Sequence, residues 1–259
     1  MGEPVEFLAI EGLPEVEPGA DLAGLLIEAL EARKLVPRAR DVLIIAQKIV
    51  SKAEGRFVEL DSVEPSEEAR RLAQLTAKDP RIVELILGET DEVVRAAPNV
   101  LIVRHRLGFV MANAGVDRSN VPAAASGAAS RERALLLPRD PAASAAALRR
   151  RLSERFAVPL GVIVSDSFGR PWRRGVLNVA LGSAGLPALI DRRGERDRND
   201  RVLEMTEVAF ADAIAAAAAL VMGEAAEGTP AALARGLEWS APEREARVLL
   251  RPKEEDLFR

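Results

Sequence analysis

The run Val42-Leu43-Ile44-Ile45-Ala46 is the feature that most restricts what this chain can fold into. Five consecutive apolar residues, rich in β-branched side chains and preceded by a polar turn, offer no solvent face, so the run reads as a buried strand. A buried strand needs covering elements, and one amphipathic helix precedes it. Leu22, Leu25, Leu26, Ala29 and Leu30 recur at helical spacing behind Asp21, an N-cap residue, and the pattern stops near Pro37.

Two further helices begin at Ser66 and at Asp79-Pro80, the second with proline at the favoured first position. Residues 100–104 and 109–112 read as strands joined through Leu107-Gly108, a hairpin. Alanine, serine and glycine dominate residues 121–131, which suggests a mobile surface loop and a lid or subdomain junction. Asp140-Pro141 opens a helix through about Leu152. Residues 161–165, 178–181 and 188–190 read as strands, followed by a charged loop over 191–201 and a long helix ending at Met222. Strands and helices alternate irregularly, several strands are linked by turns instead of helices, and no repeat is visible. The expected fold class is therefore α+β, mixed sheets with flanking helices, in place of a doubly wound parallel sheet. A single domain over residues 1–259 is expected, undivided or in two subdomains.

At 259 residues and 48% hydrophobic content the chain can bury a sizeable core. Thirty-six basic against 40 acidic residues, without a long block of one sign, give a formal charge of -4 and argue against a nucleic-acid binder. Aromatics are 3% of residues with no tyrosine, so stacking platforms for exposed bases are not expected. The absence of cysteine excludes disulfides, thiolate metal sites and cysteine nucleophiles, and fits a reducing compartment. Met1-Gly2-Glu3-Pro4 is unlike a signal peptide, and no apolar run reaches the ~18 residues of a membrane span. A cytoplasmic protein without a membrane partner is expected.

The chain lacks the G-x-x-x-x-G-K-[ST] phosphate loop, the G-x-G-x-x-G dinucleotide fingerprint and the G-x-S-x-G elbow of serine hydrolases. The lone His105, inside Arg104-His105-Arg106, reads as a satisfied or surface imidazole before it reads as a catalytic base. Asp117 and Asp166 each follow an apolar strand and begin a small-residue turn. Carboxylates at strand ends face clefts, and such hard oxygen donors suit magnesium or manganese better than zinc, although both could simply cap turns. Near Asp166, Arg170, Arg173 and Arg174 bring three guanidinium groups together, a set suited to phosphate or carboxylate or else to a solvated face. Lys52, soon after the buried strand, can reach a phosphate or be an ordinary exposed lysine.

Four segments decide between these readings: Glu11-Gly12-Leu13-Pro14; Ala46-Gln47-Lys48-Ile49-Val50-Ser51-Lys52-Ala53-Glu54-Gly55; Asn113-Ala114-Gly115-Val116-Asp117-Arg118-Ser119-Asn120; and Ser165-Asp166-Ser167-Phe168-Gly169-Arg170. In this order and spacing the chain resembles the coenzyme F420-0:L-glutamate ligase family, over about residues 7–236. The resemblance implies an α+β homodimer of unusual fold that uses GTP, Mg2+ or Mn2+, and a monovalent cation such as K+. It implies GTP contacts from Glu11, Gly12, Leu13, Pro14, Gln47, Lys52 and Asn120, and metal ligation by Asp117 and Asp166, with Ser167 serving a second metal. Leu220, Val221, Met222, Gly223, Glu224, Ala225, Ala226 and Glu227 match a further nucleotide-contacting segment, with the backbone oxygen of Met222 offered to a second metal. Alanines stand here where a glycine-rich turn would let the backbone approach a phosphate more closely. Some relatives carry a fused C-terminal flavin-reductase-like domain, whereas only a short charged tail follows Gly236 here.

The reaction so implied joins L-glutamate to the carboxylate of coenzyme F420-0 through an acyl phosphate, with further γ-linked additions open. Catalysis falls to Lys52, Asp117 and Asp166, and the three arginines are candidates for the substrate anions. Two alternatives stay open: a glutamate ligase acting on a pterin or another phosphorylated acid, and a nucleotide-binding protein without catalysis.

Overall fold

A computed structural model describes residues 4–121 and 132–257. In chain order the strands are β1 (Glu6–Ala9), β2 (Val42–Ala46), β3 (Phe57–Glu59), β4 (Thr90–Ala97), β5 (Val100–His105), β6 (Val110–Ala112), β7 (Arg133–Leu135), β8 (Gly161–Arg170), β9 (Arg173–Ala184), β10 (Leu189–Asp191), β11 (Glu207–Ala209) and β12 (Ala231–Arg235). The helices are α1 (Leu22–Ala32), α2 (Gln47–Ala53), α3 (Glu67–Thr76), α4 (Pro80–Gly88), α5 (Pro141–Phe156) and α6 (Phe210–Met222).

The central sheet runs β1-β12-β2-β8-β9. Only β2 and β8 pair in parallel, from Val42 opposite Gly161 to Ala46 opposite Ser165, and the other neighbours are antiparallel. The apolar run singled out in the sequence is the middle strand, and its two-residue period divides it between two cores. Leu43 and Ile45, with Val162 and Val164, pack under α1, α2 and α5, while Val42 and Ile44, with Ile163, pack under α6. Four of its residues are at most 1% exposed, as expected of a strand covered on both faces. A second group of elements, β4-β5-β6 with α3 and α4 and the β3-β7 pair, closes over Leu72, Val83, Ile86, Leu101 and Val103. The α+β class is as expected.

Helix starts follow the local chemistry. Asp21 accepts from the Gly24 N–H, Ser66 from Ala69, Asp79 from Arg81, and Asp140 from Ala142 and Ala143, each satisfying a backbone donor that the first helical turn leaves free. Two local expectations are corrected, and one strand that the sequence did not suggest appears. Residues 47–53 turn into α2 directly after β2, so Lys52 is on a helix. Asp166 lies inside β8, which continues to Arg170 and returns as β9 at Arg173. The parallel support from β2 nevertheless ends at Ser165, so Asp166 is the first residue past it, and the hairpin beyond is held by its own antiparallel ladder. Finally, β12 reads Ala-Ala-Leu-Ala-Arg, an alanine-rich sequence without strand propensity, yet it is central because small side chains let α6 approach closely. The 121–131 segment, expected to be a mobile loop, lies outside the described residues apart from Val121.

Candidate functional site

A cleft of about 470 Å3 opens at the carboxyl end of β2 and beside the middle of β8, where their parallel pairing ends at Ser165. That is where sheets with parallel strands present ligand-binding turns, since the strand ends and the following helix starts converge there. Five stretches wall it: Leu13–Val16, the β2–α2 junction, the segment after β6 carrying Asp117, the β8–β9 ladder, and the turn that follows α6.

The cleft brings together most of the residues singled out from the sequence. Leu13, Pro14, Gln47, Lys52, Asp117, Asn120, Asp166, Ser167, Met222, Gly223, Glu224, Ala225, Ala226 and Glu227 all line it. Glu11 and Gly12 fall outside its lining, with Glu11 paired to Arg33 on the surface. Leu220 and Val221 also fall outside, and Leu220 is 88% exposed on the outer side of α6. Arg170, Arg173 and Arg174 stand at the far end of the β8–β9 hairpin and do not line the cleft. There Arg170 Nη2 donates to the Arg174 carbonyl at 3.1 Å and to the Gly175 carbonyl at 3.4 Å, closing its own turn.

Lys52 is 4% exposed, which removes the reading of an ordinary surface lysine. Its ammonium contacts the carboxylate of Glu15, a half-exposed residue on the opposite wall. One helical turn earlier Lys48 Nζ lies 2.8 Å from Asp117 Oδ2. Burial pushes the Asp117 carboxyl up, but the hydrogen bonds from Lys48 and from the Ser119 N–H outweigh it and hold the group below its ordinary value. Asp166 behaves in the opposite way. Burial, reinforced by the negative charge of Asp117, raises its carboxyl to about 7, against hydrogen bonds from the Ser167 N–H and the Gln47 side chain and the charge of Lys48. Gln47 is oriented for this because Ser51 Oγ donates to its Oε1 at 2.9 Å, leaving the amide N–H2 for the carboxylate.

These groups fit a hard divalent cation. Two carboxylates repel each other in a sheltered place, and the buried Ser165 Oγ and Asn178 Oδ1 beside them have no hydrogen-bond partner among the described residues. No three His, Cys, Asp or Glu side chains gather as a ready-made cage among those residues. A cation held by two carboxylates and completed by hydroxyls, water and phosphate is the arrangement magnesium favours.

The turn after α6 is shaped by its first residue. Gly223 has φ +74° and ψ 174°, a backbone conformation open almost only to glycine. Glu227 folds back to accept from the Ala225 N–H at 2.7 Å, and Asn120 Nδ2 donates to the Ala225 carbonyl at 3.3 Å, tying two walls together. His105 takes no part in the cleft. Its Nδ1 accepts from the Leu107 N–H at 2.9 Å and its Nε2 faces Glu89 at 3.3 Å, a buried structural imidazole.

Sequence reasoning left Lys48, Glu15, Ser119, Ser165 and Asn178 without a role, though each lines the cleft. A signal for Lys48 was present: it precedes Lys52 by four residues, the spacing that puts two side chains on one helix face.

The sequence model described as F420-0:Gamma-glutamyl ligase matches residues 12–236. The chain is 47% identical to the coenzyme F420:L-glutamate ligase of Methanopyrus kandleri, covering 97% of this chain and 98% of that one. It is 46% identical to the protein of the same name from Methanothermobacter thermautotrophicus, covering 98% and 99% respectively. Against that of Haloarcula marismortui the identity is 44%, covering 98% and 96%.

Proposed function

The chain belongs to the F420-0:gamma-glutamyl ligase family and is a carbon–nitrogen ligase, and on that premise we propose that it joins L-glutamate to the carboxylate of coenzyme F420-0 using GTP, with further γ-linked additions. The observation that carries this reading is the meeting of Lys52 and Lys48 with Asp117 and Asp166 in one cleft where the parallel pairing of β2 and β8 ends. Cations for phosphate and hard oxygen donors for a metal are what phosphoryl transfer asks of a protein.

A carboxylate is too poor an electrophile to accept an amine unaided, so the acceptor must be activated. In this reading its carboxylate oxygen attacks the γ-phosphorus of GTP, the bond to GDP breaks, and an acyl phosphate forms. The amine of glutamate then attacks the acyl carbon, the acyl C–O bond to the phosphate breaks, inorganic phosphate leaves with the bridging oxygen and that electron pair, and the amide remains once the nitrogen loses its proton. No protein nucleophile is required. Lys52 lies deep enough to hold the transferring phosphoryl group without competition from water, once Glu15 gives it up. Asp117 and Asp166 would hold Mg2+ or Mn2+, with Ser167 and the backbone oxygen of Met222 available to a second ion. Such a metal, when bound, supplies charge neutralisation on the phosphates. No side chain is assigned to K+. Leu13, Pro14, Asn120 and the 222–227 turn would enclose the nucleotide, with Glu11 and Gly12 acting from outside the present lining.

The same reading has the enzyme working as a cytoplasmic homodimer. Among the described residues no helix is long and apolar enough to cross a membrane. The test is mass spectrometry of the product formed from F420-0, GTP and glutamate, with GDP release followed in parallel. A glutamylated F420-0 is expected. Product only with a pterin acceptor would replace the substrate, and GTP binding without GDP release would remove the catalytic reading.

A further inference from the structure

Lys48 and Lys52 share one face of α2, yet they are engaged differently. Lys52 meets a single carboxylate, that of Glu15. Lys48 Nζ meets three oxygens of one short segment: Asp117 Oδ2 at 2.8 Å, Ser119 Oγ at 2.8 Å and the Ser119 carbonyl at 2.9 Å. Asp117 in turn accepts from the Ser119 N–H at 2.6 Å and from Ser119 Oγ at 2.9 Å. The ammonium therefore fixes the segment carrying Asp117 against α2, joining the element group around β4-β5-β6 to the central sheet. It also takes the charge of the carboxylate oxygen that a divalent cation would need.

We propose that Lys48 is a positioning residue of the cleft, a built-in counter-ion that holds Asp117 in place and competes with the divalent cation for it until nucleotide phosphates draw its charge away. This deepens the metal assignment made above and rests on it. A lysine suits such a role because its point charge sits on a flexible four-carbon stem and can move to a new anion without loss of charge. While it remains on Asp117, a second positive charge arriving beside it is repelled across a few ångströms of partly sheltered space. The arrival of phosphate removes that repulsion, so cation and nucleotide binding become mutually reinforcing through one side chain. An arginine would keep the charge, whereas a methionine would keep only the length.

The experiment is a titration of the full chain with Mn2+ alone, without nucleotide, following free Mn2+ by electron paramagnetic resonance. Wild type, Asp117→Asn, Asp166→Asn, Lys48→Met, Lys48→Arg and the double variant Lys48→Met/Asp166→Asn are compared, each checked for a cooperative melt. Lys48→Gln stands in if the methionine variant does not fold. Lys48→Met is expected to bind Mn2+ at least about tenfold more tightly than wild type, with Lys48→Arg close to wild type and the gain abolished in the double variant. A residue with a merely structural role could lower cation affinity when removed but would not raise it. Equal or weaker binding by Lys48→Met, with wild-type binding still dependent on Asp117 and Asp166, overturns the proposal and leaves the metal site standing. Absence of saturable Mn2+ binding in every protein removes the metal site itself, and the proposal with it.

Discussion

The buried ammonium of Lys52 is held by the carboxylate of Glu15, a residue more than half exposed on the facing wall of the cleft. An accessible acid thus occupies the cation on which an incoming phosphate would depend, and the two anions compete. Glu15→Gln should lower the Michaelis constant for GTP several-fold while leaving turnover within about threefold of wild type. Lys52→Met, which keeps the buried length and loses the charge, should reduce kcat by at least about a hundredfold, the scale seen when a preorganised charge partner of a transition state is removed. Lys52→Ala should add a stability loss of about 1–2 kcal/mol, because its methylenes are buried and leave a void. Steady-state kinetics with thermal melts on the three variants separates these effects. A normal rate in Lys52→Met would sink the catalytic assignment.

Asp166 gives the metal-free protein a pH signature. Its ordinary value is 3.8, and burial lifts it to about 7. The folded chain therefore binds this proton more tightly than the unfolded chain does. The stabilising contribution is complete below pH 3.8 and is lost as pH rises through about 7. Above that, an ionised, partly sheltered carboxylate next to Asp117 destabilises the fold. Asp166→Asn should thus melt higher than wild type at about pH 8 in chelator, with the difference shrinking towards about pH 5. Added Mn2+ should narrow it at the alkaline end. Melting curves that stay parallel across this range would contradict the burial argument.

Much of this was written locally in the sequence, and what was not has physical reasons. The middle strand, the capped helix starts at Asp21, Ser66, Asp79 and Asp140, and the α5 and α6 helices depend on neighbours in the chain, so composition and spacing reveal them. β12 depends on a helix far away in sequence, because its alanines are explained only by the close approach of α6. The outer half of the β8–β9 hairpin is similar, since its glycines and arginines carry no strand signal and only the ladder from Asp166 to Arg173 keeps it extended. At the site, motif resemblance named the acids and Lys52 but could not name their partners. Glu15 lies 37 residues from Lys52, and Ser119 lies 71 from Lys48. Pairings at such separations are set by tertiary packing and have no local pattern.

Asp117→Asn should abolish turnover while the protein still folds. The carboxylate is one-third exposed and belongs to no apolar core, so its loss removes a charge and loosens the segment around Ser119 without opening a cavity. A melting change equivalent to less than about 1.5 kcal/mol is expected, since the pair with Lys48 is only partly sheltered. Activity within tenfold of wild type in both Asp117→Asn and Asp166→Asn would mean that neither carboxylate holds a metal needed for the reaction.

The three arginines at the hairpin end should divide by role. Arg170 already spends its guanidinium on the carbonyls of Arg174 and Gly175, closing a turn in which Trp172 takes a φ of +62°, a conformation costly for a bulky residue. Arg170→Gln should therefore weaken the hairpin, at a cost of about 1 kcal/mol, more than it weakens any substrate. Arg173 and Arg174 are exposed and follow on the returning strand, so their charges are available to the phosphate of the acceptor or the carboxylates of glutamate. Because they do not line the cleft, they can act only on the outer part of a long substrate whose reacting end sits near Asp166. Four residue steps of extended chain take Asp166 to Arg170, a reach of roughly 13 Å. Changing each to glutamine should raise the Michaelis constant for F420-0 or for glutamate at least about tenfold at one of the two positions, with GTP affinity altered less. If both variants handle the two substrates like wild type, the hairpin end is a solvated face and the substrate anions are held inside the cleft.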